Sequence, residues 1–194
     1  LYQKTISGNT QNINLNMIES LDPEQLQTRP PKEQLIYILI KDKTISFDEQ
    51  LIKHNLKANT EELLSILPEY AYFIQGRWTI KPEKIPENIF PAELRLARNF
   101  LIVLFAHKQF LPTNKLNDFY RVFDISREHM AKVAEGIGIK QDGGTKICFK
   151  YKENLKFETN YPECTRRGHD DIESLQETIC IAKHDPKIFE KVLQ

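Results

Sequence analysis

Charge of one sign is the first thing missing from this sequence. Its 27 Lys and Arg balance 27 Asp and Glu, so 194 residues carry no net charge. Phosphate neutralisation supplies most of the affinity of a dedicated nucleic-acid binder, and such a protein carries a basic excess that is absent here. Cysteine is scarce and odd in number: Cys148, Cys164 and Cys180. Disulfide frameworks of secreted domains are denser and even, which favours a reducing compartment. The longest strictly apolar run, Phe100 to Ala106, is far too short to span a bilayer, so no membrane partner is expected. The sequence starts at Leu1 with no initiator methionine, signal peptide or transit segment, and reads as an excised piece of a longer intracellular protein.

Catalytic signatures are missing too. No glycine-rich phosphate loop, dinucleotide-binding turn or nucleophile elbow occurs. Gly136-Ile137-Gly138 falls where a helix ends, and its glycines terminate it. Neither turnover, a cofactor nor a small-molecule substrate is expected. Cys164, His169, Cys180 and His184 are ligand types for zinc, but their spacing contains no Cys-x-x-Cys knuckle. The expectation is no metal, with Cys180 a small apolar helix residue and His184 a cation at a helix end.

What is present is an ordinary globular composition, 40% hydrophobic and 28% charged. Residues 1–30 are a polar linker, with Asn9, Asn12, Asn14 and Asn16, and one short helix start at Asp22-Pro23-Glu24-Gln25. From Lys32 to Lys41, Leu35, Ile36, Leu39 and Ile40 recur at helical spacing. Ser46-Phe47-Asp48-Glu49 is a capping box, predicting a helix with Leu51 and Ile52 inward. Asn59 caps a third helix carrying Leu63, Leu64 and Leu67, which Pro68 is expected to stop. Tyr70–Ile74 and Arg77–Ile80 are aromatic and β-branched runs around Gln75-Gly76, a tight hairpin.

The same order then recurs. Residues 81–90, with Pro82 and Pro86, form the connection. Pro91-Ala92-Glu93 opens a helix to about His107 whose last turns are apolar all round, hence buried. Leu116, Phe119, Tyr120 and Phe123 form a second stripe. Ser126 caps a third helix with Met130, Val133, Ala134 and Ile137 inward. Asp142-Gly143-Gly144 is a hairpin turn, after which Ile147, Phe149 and Tyr151 alternate with Lys146, Cys148, Lys150 and Lys152. Residues 153–168 read as a loop. A helix follows from Asp170 with Ile172, Leu175, Gln176 and Ile179 on one face, and Pro186 breaks it before Ile188, Phe189, Val192 and Leu193.

Three short helices and a hairpin, twice over, predict a mainly α chain with small β-hairpins (α+β): tandem winged-helix domains plus a C-terminal helix. The expected limits are a linker over 1–30, winged helices over 31–84 and 90–153, and a loop with helical extension over 154–194. Phe73-Ile74-Gln75-Gly76-Arg77-Trp78-Thr79-Ile80-Lys81 resembles the first winged-helix hairpin of the Sin-family subunit of RNA polymerase III, the fifth subunit specific to that enzyme. Pro91-Ala92-Glu93-Leu94, then Arg98-Asn99-Phe100, resembles the opening of that family's next winged helix. The likeness covers roughly Pro31 to Tyr151, thins over the C-terminal 40 or so residues and leaves the first 30 unexplained.

The resemblance implies a nuclear, non-catalytic polymerase subunit supporting initiation, termination and reinitiation. It implies a heterodimer similar to TFIIF, made through an N-terminal β-barrel region that this chain lacks, so that pairing falls on no residue here. The expected partners are other RNA polymerase III subunits, with weak non-specific DNA contact as an alternative. The rival reading is a stand-alone winged-helix DNA-binding regulator, which the neutral charge disfavours.

Two groups of residues are candidates for contact. Arg127, Lys132, Lys146, Lys150 and Lys152 form a basic face on the second unit that could meet DNA or a partner. Acidic Glu128, Glu135 and Asp142 dilute its field, so protein contact or plain solvation is favoured. Arg77 and Trp78, on the first hairpin, combine two residue types enriched at interface hot spots, although a hairpin tryptophan more often caps its own core.

Overall fold

Pro31 enters the first long helix at its first turn, where its missing N–H and fixed φ cost nothing. The computed structural model describes residues 23–54, 56, 59–141 and 146–193. The expected asparagine-rich linker, the Asp22 cap and the Asp142-Gly143-Gly144 turn lie outside the described residues. A short helix α1 (Pro23–Gln27) precedes α2 (Pro31–Asp42), which buries Leu35, Ile36, Ile38, Leu39 and Ile40 and ends at Lys43 with φ +64°.

A two-residue strand β1 (Thr44–Ile45) leads to α3 (Phe47–Lys53). Here the inward face differs from the expected one. Phe47 and Gln50 are buried, while Ile52 is 83% exposed. Phe47 anchors the helix by packing 6.2 Å from the Phe157 ring, which turns Ile52 to the far side. Ser46 has the extended backbone of a cap, but its side chain makes no capping bond. Asn59 does cap α4 (Thr60–Tyr70), accepting from the Glu61 N–H at 3.0 Å. Pro68 does not stop this helix, which runs two residues further. In the last turn a proline removes only one helical bond, and its carbonyl takes the Lys81 ammonium at 2.7 Å.

Strands β2 (Ala71–Ile74) and β3 (Arg77–Ile80) meet through Gln75 and Gly76, both left-handed at φ 49° and 74°, as a type I′ turn requires. β1 adds to β3, giving a three-stranded antiparallel sheet in the order β1-β3-β2. Short 3₁₀ turns at Pro82–Lys84 and Ala92–Leu94 lead into α5 (Arg95–His107), whose residues 100–105 are all buried. Then come β4 (Phe110–Pro112), α6 (Leu116–Phe123), α7 (His129–Ala134), β5 (Gly138–Gln141) and β6 (Lys146–Phe149). These three strands form a second antiparallel sheet in the corresponding order, β4-β6-β5.

The stretch read as a loop over 153–168 is helical. Asn154 caps α8 (Leu155–Asn160) by accepting from the Phe157 N–H, and Pro162 opens the 21-residue α9 (Pro162–Ala182), well before Asp170. Its first turns carry few apolar residues, so no stripe announces them. α9 lies along β2, and Gly168 makes the approach possible: a Cβ there would come 2.9 Å from the Phe73 carbonyl oxygen. A last helix, α10 (Ile188–Leu193), stacks Phe189 on Phe100 at 4.4 Å.

The described residues are thus mainly α with two small antiparallel sheets. One continuous core runs through both halves and the C-terminal helices. Among the described residues no helix is long and apolar enough to cross a membrane.

Candidate functional site

The two sheets have the same strand order but different surroundings. In the first, the cross-strand row Thr44–Thr79–Tyr72 and the row Ile45–Trp78–Phe73 are both buried, so both faces are covered. The rows of the second sheet behave differently. Leu111 and Ile147 are buried against the helices. The opposite row is Phe110–Cys148–Ile139, with Phe110 47% and Ile139 39% exposed and Cys148 half-buried. An apolar row therefore crosses the outer face of this sheet. Residues two apart on a strand share a face, which puts Lys146 beside Cys148 on that side, and Lys150, one residue past the end of β6, extends the pairing through its N–H to the Ile137 carbonyl.

The expected basic face is only partly assembled. Lys146 stands 5.6 Å over the Phe110 ring, and exposed Lys150 stands 5.4 Å over Tyr151. Lys132 is paired with Glu135 at 2.9 Å, and exposed Arg127 donates to the Asn117 amide oxygen at 3.0 Å. Exposed Lys152 offers its carbonyl to the Arg77 Nε at 3.2 Å. Arg77 is mostly enclosed, 4.7 Å over the Tyr151 ring and 3.9 Å from Glu49, so it links the first sheet to the second half. Trp78 requires a correction as a partner contact. It is 2% exposed, with its ring 5.0 Å from Phe73, and belongs to the core. Phe110 and Ile139 were not legible as site residues, because an isolated exposed apolar residue has no sequence pattern of its own.

The residues that carried the family likeness hold the fold. The Gln75-Gly76 turn docks on residue 154: the Asn154 N–H donates to the Gln75 carbonyl at 3.0 Å, and a Cβ on Gly76 would strike the Asn154 backbone. The Gln75 amide donates to the Phe105 carbonyl. Arg98 is fully buried beneath Phe90 and caps the end of α7, donating to the carbonyls of Val133 at 3.0 Å and Glu135 at 2.8 Å. Burial pulls its guanidinium down to about 10, with Glu135 opposing.

The cysteines and histidines considered for zinc do not converge. Cys164, His169 and Cys180 all sit on α9, and at 1.5 Å per residue the two sulfurs are roughly 24 Å apart. Among the described residues no cluster of three metal-ligating side chains occurs. A cavity of about 160 Å³ between the first hairpin, α5 and α9 is lined by Phe73, Ile74, Ala106, Glu153, Glu158 and His169. Burial holds the Glu158 carboxyl above its ordinary range, with Glu153 adding to the effect. That volume is well below the roughly 300–1,000 Å³ of small-molecule sites.

The family model described as RPC5 protein matches residues 2–180, whereas no curated protein matches the chain. The match extends beyond Pro31–Tyr151 at both ends, taking in the N-terminal polar stretch and nearly all of α9. The family is that of subunit C5 of RNA polymerase III, an accessory subunit outside the catalytic core that associates with other subunits of a nuclear enzyme. With the match spanning most of its length, the chain belongs to the RPC5 family.

Proposed function

We propose that the chain is a non-catalytic docking and scaffolding module of RNA polymerase III, supporting initiation, termination and reinitiation. In this reading residues 31–84 and 90–153 are two winged-helix units, and residues 154–194 brace them. The observation that carries it is the open outer face of the second sheet, where Phe110 and Ile139 are exposed beside Lys146 and Lys150. Exposed apolar side chains grouped on one face are a protein-contact feature. Contact with phosphate would use the lysines and gain nothing from the apolar row. The zero net charge and the Lys132–Glu135 pair support protein over DNA as the partner.

The test is site-specific photo-cross-linking in assembled polymerase, with the reactive residue placed at position 110 or 139 and, as a control, at exposed Ile181. Cross-links from 110 and 139 to another polymerase subunit are expected. Cross-links from these positions only to DNA, or none, would sink the docking reading.

A further inference from the structure

The second sheet has an open edge as well as an open face. β5 pairs with β6 on one side only, and among the described residues no strand lies on its other side. The corresponding edge of the first sheet is β2, and there α9 covers it, with Gly168 against the Phe73 carbonyl. Among the described residues β5 has no such cover: Ile139, Lys140 and Gln141 are all exposed.

The ladder shows which backbone groups are free. The Lys150 N–H donates to the Ile137 carbonyl at 2.9 Å, and Ile139 is the register partner of Cys148. In an antiparallel pair, alternate residues of a strand bond the same neighbour. Residues 137, 139 and 141 therefore face β6, while Gly138 and Lys140 direct their N–H and C=O groups outward.

The side chains define what could be added. On the outer face, Ile139 continues the apolar row through Cys148 to Phe110. Lys146 lies two residues to one side of Cys148 and Lys150 two residues to the other. Lys140 and Lys150 make no ion pair among the described residues. A strand laid along β5 would place every second side chain on this face. The complementary pattern is an apolar residue beside Ile139, flanked at alternate positions by carboxylates within reach of the lysines. Strands lie about 4.8 Å apart, so long Glu and Lys side chains can meet diagonally across β5.

We infer that a partner polypeptide adds a strand to the free edge of β5, with alternating acidic, apolar and acidic side chains on its outer face. This rests on the docking reading above and specifies its mode: backbone bonds to Gly138 and Lys140 supply affinity, and the apolar row and lysines supply selectivity.

The probe is a short labelled peptide with Glu, Leu and Glu at alternate positions, titrated into the full chain alongside its counterpart with Lys in place of Glu. Binding of the acidic peptide roughly tenfold tighter than the basic one, and weakened by salt, is expected. Hydrogen exchange should show new protection at the Gly138 and Lys140 amides. Lys140→Pro removes an outward donor without touching the β6 ladder, so it should weaken binding about tenfold or more while the melting temperature stays put. A peptide with N-methylated backbone amides tests the same bonds without altering the protein, and should lose binding equally. Lys146→Glu combined with Lys150→Glu should reverse the charge preference.

Binding without new protection at 138 and 140, and indifferent to N-methylation, would overturn strand addition and leave face docking intact. Failure of both peptides to bind while cross-links from 110 and 139 persist would overturn it equally. Loss of those cross-links would remove the docking reading itself.

Discussion

The Tyr151 hydroxyl donates a 3.0 Å hydrogen bond to the Thr44 carbonyl, tying the chain just after the second sheet to the first strand of the first. Arg77 covers the same ring at 4.7 Å. With one continuous core beneath, the two halves should unfold together. Tyr151→Phe removes the bond and keeps the ring, and should cost about 1 kcal/mol. Denaturant unfolding followed by Trp78 fluorescence and by circular dichroism should give coincident single transitions in both proteins. Two separated transitions would show that the halves are energetically independent.

Gly136 and Lys43 form the second tie between the halves. Gly136 ends α7 at φ +73°, and a Cβ there would run into the Lys43 Cβ and lie 2.8 Å from the Asp42 carbonyl oxygen. Gly136→Ala should therefore cost about 2 kcal/mol or more, from left-handed strain plus the clash. Lys43→Gly should recover part of that loss in the double variant, because it removes both colliding side-chain atoms, Cβ and Cγ, and leaves only the Asp42 carbonyl oxygen. Additive losses in a double-mutant cycle would contradict this.

Arg98 holds two carbonyls at the end of α7 from a fully buried position. Arg98→Ala opens a cavity and orphans both acceptors, with an expected loss of about 3–5 kcal/mol. Arg98→Lys should rescue little, because both carbonyls are met by Nη1 at the far end of the guanidinium, and the lysine side chain, one atom shorter, places its ammonium short of that point. Near-native urea stability in either variant would refute the capping role.

Burial raises the Glu135 carboxyl, but the hydrogen bond and charge of Lys132, with Lys43 and Arg98, outweigh it and hold it below its ordinary value. A depressed carboxyl contributes stability above its unfolded pKa of 4.5, lost as pH falls through the folded value. Glu135→Gln should be less stable than the parent near neutrality, and the gap should narrow below pH 4.5. A gap constant down to strong acid would rule out this linkage.

Much of the fold was legible because its strongest signals are local. Gln75-Gly76 marks a turn that needs two left-handed residues, and the apolar run 100–106 leaves α5 no exposed side. β1 and β4 escaped notice because two or three residues carry no period. The start of α9 was lost among Arg166, Arg167, His169 and Asp170, polar residues that a solvated helix face tolerates. Ile52 shows the limit of periodicity in a short helix, where one aromatic anchor, Phe47, sets the rotation. Whether a sheet face is covered depends on segments far away in sequence. The burial of Trp78 and the exposure of Phe110 were therefore decided by elements that neither hairpin encodes.

The packing of α9 along β2 also sets a schedule for synthesis. Gly168 leaves the ribosome roughly ninety residues after Phe73, the group whose carbonyl it covers. At about 5–20 residues per second, the first hairpin waits on the order of ten seconds for its cover. During that interval a nascent chain presents Tyr72 and Phe73 on an unprotected edge, the arrangement most prone to pairing with a neighbour. Translation speed through residues 81–168 thus sets how long this edge stays uncovered.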